Sequence, residues 1–126
     1  MDVPALPDHL VAIFDKLVGE PLADAAVLQG EVETHLKLMR HAGFSNPRVN
    51  LPIAEALAAA CLGLLAHVDG DPDEGARRLV QAAARYFALD SDADGDFASR
   101  DGLDDDVVVM NAVCRALGRE DLVIRR

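Results

Sequence analysis

The stretch Ile53-Ala-Glu-Ala-Leu-Ala-Ala-Ala-Cys-Leu-Gly-Leu-Leu-Ala66 decides the fold class. It is the most apolar run in the chain, broken only by Glu55 and diluted with alanine, the residue that pays least to enter a helix. At 14 residues it falls short of the ~20 that a membrane-spanning helix needs. It therefore predicts the central buried helix of a globular protein, ending near Val68, with no membrane insertion.

Helical signals continue outward on both sides. Towards the N-terminus, Gly43 to Pro52 reads as a loop, with Asn46-Pro47 as a turn signal and Pro52 suited to a helix start. A second helical region spans about 21–42, with Leu28, Val32, Leu36 and Met39 as its stripe and Gly30 as a bend or break. A first helix has Asp8 as cap, Leu10, Ile13, Phe14 and Leu17 on one face, and Gly19 as stop.

Towards the C-terminus, Asp69-Gly70-Asp71 makes a turn. Asp71, Pro72 and Glu74 then form a capping-box pattern for a helix running to about Leu89. Gly95 and Gly102 punctuate the acidic stretch beyond that helix. Asp104 is placed to cap a last helix, with Leu103 packing on Val108 as a staple. That helix should bury Val107, Met110, Val113, Cys114 and Leu117, and Gly118 should end it. No segment alternates with period two, although Val107-Val108-Val109 is β-prone by itself. The expected fold is all-α, five or six helices in a compact orthogonal or bundle-like array forming one domain over 1–126.

Composition agrees with this reading. The chain has 126 residues, 51% of them hydrophobic but only 4% aromatic, a balance that favours close helix packing over sheet. Ten arginines stand against two lysines, a bias of GC-rich bacterial genomes. The N-terminus shows no basic region followed by an apolar core, and Cys61 and Cys114 fall inside helical patterns, read as lone buried thiols with one disulfide between them as the alternative. Both features predict a cytoplasmic protein.

The net charge of −10 is unevenly spread. Residues 90–106 hold eight aspartates against Arg100 alone, a local balance of −7, which leaves −3 for the rest. Nucleic-acid phosphates and anionic membranes should be repelled. The partners that this charge leaves are a divalent cation, a basic protein surface, or none.

Within that stretch, Asp90-Ser-Asp92-Ala-Asp94-Gly95-Asp96-Phe97-Ala-Ser-Arg-Asp101 follows the order of a calcium loop. Asp90, Asp92, Asp94 and Asp96 take positions 1, 3, 5 and 7, Gly95 the turn, and Phe97 the apolar eighth position. Position 12 is Asp101, one methylene short of the usual bidentate Glu. Gly102 follows where the exit helix of an EF-hand should be running, and the chain has no second such loop. Two readings stand. Either Asp90, Asp92, Asp94, Asp96 and Asp101, with Asp105 and Asp106, supply oxygens to a divalent cation such as Ca2+ or Mg2+, or the aspartates are solvated helix caps. Crowded carboxylates repel one another unless a cation or an arginine lies close, and Arg85 and Arg100 are the candidates for the latter.

From Tyr86 onward the same residues resemble the YkvA-like domain family. Its mark is an aromatic-ended helix, a run close to Pro-x-Asp-Leu-Ile-Pro-Asp-Phe, and Gly-x-x-Asp-Asp opening an apolar helix. Here Asp92, Asp96-Phe97, Gly102 and Asp105-Asp106 match it without gaps, and the likeness spans about 71–117. Asp90, Ala93, Asp94 and Gly95 replace the family's prolines and apolar loop residues. The resemblance implies a small helical fold, supplies no catalytic role, and keeps the spacing of Asp92, Asp96, Asp105 and Asp106. Leu64 to Gly70, with a helix following, is similar to the Ala-Asp-Gly turn of the TerB-like tellurite-resistance domains.

Elsewhere the sequence carries little chemistry. His9, His35, His41 and His67 lack metal-ligand spacing, and there is neither a phosphate-cradling glycine loop nor a nucleophile elbow. A non-enzymatic protein is expected, one that binds a cation through its acidic loop. The alternative is an interaction module that pairs through the small-residue helix at 53–66, with the loop reduced to helix capping.

Overall fold

The computed structural model describes residues 6–45, 50–89 and 103–125. Five helices follow one another: α1 (Asp8–Val18), α2 (Ala25–Ser45), α3 (Leu51–Val68), α4 (Glu74–Leu89) and α5 (Asp104–Ala116). A 3-10 turn, Glu120–Leu122, closes the chain, and no strand occurs among the described residues. The protein is all-α, and Val107-Val108-Val109 is helical.

α4 occupies the middle. It packs against α1, α2, α3 and α5, and every residue from Leu79 to Ala84 is buried. The central position expected for the 53–66 stretch therefore belongs to its neighbour. The reason lies in side-chain size: Ala82, Ala83 and Ala84 let four helices approach α4 closely, while Arg77, Arg78 and Arg85 reach the surface from its ends. α3 has 18 residues, eight of them buried against the rest of the fold. By length and composition alone it could cross a membrane, a test that the core helix of a globular protein also passes.

Side chains of α4 also fix where α2 begins. Arg78 Nη1 donates to the carbonyls of Val18 (3.2 Å) and Glu20 (2.9 Å). The buried Gln81 donates through Nε2 to Pro21 O and accepts the Ala23 N–H at Oε1, both at 2.8 Å. Arg85 donates to Glu20 Oε1 at 3.1 Å. With its backbone groups satisfied from the side, the segment 20–24 has no need of helical hydrogen bonds, and α2 starts at Ala25 rather than near Pro21. Gly30 neither breaks nor splits α2.

Several caps differ from the sequence reading. Pro7, not Asp8, is the N-cap of α1, leaving Asp8 in the first turn where its charge complements the helix dipole. Asn50, two residues before Pro52, caps α3 by accepting the Ile53 N–H at 3.3 Å. Asp71 accepts from Asp73 N–H at 2.9 Å, which moves the capping of α4 on to Asp73, whose Oδ1 accepts from Ala76 N–H at 3.2 Å. Leu103 precedes α5 as its N-cap and is buried, whereas Val108, its expected staple partner, is exposed. Leu10, Phe14 and Leu17 of α1 are buried, but Ile13 is 45% exposed.

Gly118 ends α5 as expected. Its φ of +73° belongs to the left-handed region, and Arg119 N–H reaches back to Cys114 O at 2.8 Å in a Schellman arrangement. The tail then folds back over the core. Asn111 brackets Ile124, donating to its carbonyl at 3.0 Å and accepting its N–H at 2.7 Å. Leu122 lies over Gly63, where an added Cβ would come within 3.0 Å of a Leu122 methyl. Part of the small-residue face of α3 is thus covered by the protein's own C-terminus.

Candidate functional site

The acidic stretch enters the described structure at the head of α5. Asp104, Asp105 and Asp106 are its first three residues, and α4 ends at Leu89 on the other side of the stretch. Asp90, Asp92, Asp94, Asp96 and Asp101 lie outside the described residues, as do Gly102 and the whole of the calcium-loop pattern.

The two described candidates are turned apart by the helical pitch. Asp105 is exposed, its Oδ1 3.2 Å from Nε2 of His9 on α1. Asp106 points inward, and only 1% of it is exposed. Neither of its carboxylate oxygens has a hydrogen-bond partner among the described residues. A buried carboxylate without a counter-charge is among the costliest arrangements a fold can hold, at several kcal/mol, unless it is protonated or meets a cation. The dipole of α5 offsets about 0.3–1 kcal/mol of that, too little to balance it.

Arg85, one of the two arginines expected to offset the crowded aspartates, is engaged elsewhere. It lies 3.1 Å from Glu20 and 3.5 Å from Glu31, on the α1–α2 side of α4. The other, Arg100, lies outside the described residues. Among the described residues no three His, Cys, Asp or Glu side chains gather as a metal-holding group.

The remaining reactive groups are structural. Cys61 and Cys114 are buried free thiols. Burial, and then the proximity of Cys114, push the Cys61 thiol up to about 12. Cys114 is pushed up to about 11 by burial first and then by Asp121. Both are protonated and inert at neutral pH. His35 is buried in α2, its ring edge-on to Phe87 with centroids 4.5 Å apart, a packing role.

A cavity of about 140 Å³ opens where the 20–24 segment meets the end of α3, and Arg77 of α4 lines it. Sequence reasoning misses this place because its charged residues, Asp24, Asp69 and Arg77, are distant in the chain and form no motif.

Searched against protein-family models, curated proteins and solved structures, the chain matches none of them.

Proposed function

We propose that the protein is a non-enzymatic helical domain whose acidic stretch binds one divalent cation, Ca2+ or Mg2+, with Asp106 as the buried anchor. The observation that carries this reading is the Asp106 carboxylate, withdrawn from solvent and lacking any hydrogen-bond partner among the described residues. Asp90, Asp92, Asp94, Asp96 and Asp101 supply the alternating oxygens, and Asp105 adds negative potential at the mouth. The YkvA-like spacing, with Asp-Asp opening an apolar helix, is compatible with this use of the stretch.

The test is thermal unfolding of chelator-treated protein with and without millimolar Ca2+, Mg2+ or Mn2+. A ligand that binds only the native state adds RT ln(1 + [L]/Kd), about 2.7 kcal/mol at 100-fold excess over Kd. A rise in Tm that disappears in the Asp92→Asn, Asp96→Asn double variant supports the reading. An unchanged Tm with every metal returns the aspartates to helix capping.

A second reading, self-association, is favoured by the outer face of α2. Val27 and Leu38 lie on one line of that helix, each 50% exposed, and Phe44 near its end is 90% exposed. Single exposed apolar residues are ordinary on protein surfaces. Sedimentation velocity decides: a dimer that Leu38→Glu dissociates supports this reading, and a monomer at all concentrations removes it.

A further inference from the structure

The cavity beside Arg77 is lined by no residue of the acidic stretch, and its walls carry both signs of charge. Leu28, Leu65 and Val68 give it an apolar floor, and all three belong to the core. Asp24 stands on the α2 side and Asp69 at the end of α3. Arg77 supplies the positive charge.

The arginines of α4 differ in what they leave unused. Arg78 and Arg85 are held by carbonyls and carboxylates of the α1 and α2 region. Among the described residues Arg77 makes no ion pair, and its buried Nε meets no acceptor there. Native proteins rarely bury a guanidinium N–H without a partner, so an acceptor is called for at this place. The rim is also preorganised, because Gln81 clamps Pro21 and Ala23 immediately before Asp24.

An anion alone would satisfy Arg77 but would meet Asp24 and Asp69. A cation alone would satisfy the aspartates but not the guanidinium. A small zwitterion with an aliphatic arm answers all three features. The volume of about 140 Å³ is below the roughly 300–1,000 Å³ of pockets that take drug-sized ligands. We propose that this cavity binds a free aliphatic α-amino acid, its carboxylate on Arg77, its ammonium between Asp24 and Asp69, and its side chain against Leu28, Leu65 and Val68.

Isothermal titration calorimetry on the full chain in chelating buffer tests this independently of any cation. The probes are L-leucine and L-valine, with 4-methylpentanoate lacking the ammonium and isoamylamine lacking the carboxylate. At least one amino acid should bind saturably. Each truncated analogue should bind at least about tenfold more weakly, a loss of about 1.4 kcal/mol for its missing charge contact. Arg77→Gln, with unfolding followed to verify that it folds, should weaken amino-acid binding by a similar factor, and Asp69→Asn should do so without disturbing the core. No saturable binding of either amino acid at about 10 mM, or equal binding of an analogue, overturns the assignment.

Discussion

Asn111 shows how one polar side chain decides the fate of a segment. Its amide is nearly buried and satisfies both backbone groups of Ile124, which no helix or sheet would otherwise serve. Asn111→Ala would leave an N–H and a carbonyl to find water, and would unpin the tail that seats Leu122 on Gly63. A loss of about 1–3 kcal/mol in urea unfolding is expected, with faster amide exchange confined to residues 119–125. The two thiols give a pH signature at the same scale. Folding raises Cys61 from 9.0 to about 12 and Cys114 from 9.0 to about 11, so the native state holds these protons more tightly than the unfolded chain. Their contribution is fully present below about pH 9 and is lost as pH rises through the folded values. The urea midpoint should fall between about pH 9 and pH 12, and fall less in a Cys61→Ala variant. An equal fall in both proteins would assign the alkaline loss to other groups.

At the scale of elements, the sequence reading and the structure part company for identifiable reasons. Helix existence was legible throughout, because apolar spacing of three and four residues marks a buried face wherever the helix packs on one side. The rank order of burial was not. The 53–66 stretch has the higher mean hydropathy, but α4 hides a fully enclosed turn, Leu79–Ala84, between arginines that make it look amphipathic. Capping was legible by type and not by position: Asp71 has the residue type of a cap, yet its side chain forms a local turn that hands the role to Asp73. The start of α2 could not be read locally, since Gln81 and Arg78, some 60 residues away, satisfy the segment before it. Gln81→Ala should therefore act on an element it does not belong to. It would strand Ala23 N–H and Pro21 O, cost about 2–4 kcal/mol, and loosen the segment between α1 and α2. Amide exchange localised to residues 19–25 is the expected signature, and a loss spread evenly over α4 would contradict it.

For the whole molecule, charge is the organising quantity. Of the net −10, −7 resides in residues 90–106, between the end of α4 and the first turn of α5. The candidate site was legible as a concentration of carboxylates with alternating spacing. That spacing alone could not distinguish Asp105, exposed beside His9, from Asp106, which α5 turns into the interior. The same region thus faces two demands: repulsion among its aspartates and, at Asp106, a buried carboxyl without a hydrogen-bond partner among the described residues. One bound divalent ion would relieve both, and its removal should lower stability more than a comparable loss of ionic strength.

The variant Asp106→Asn gives the sharpest measurement, because a cation anchored on Asp106 fixes the sign of the effect in two conditions. In chelator, the substitution replaces a buried carboxyl that has no hydrogen-bond partner among the described residues, and its Tm should equal or exceed that of the unsubstituted protein. With millimolar Ca2+ or Mg2+, the unsubstituted protein should gain stability, the variant should gain little, and the order should reverse. A variant that is less stable than the unsubstituted protein by the same amount with and without metal would contradict the cation-binding account.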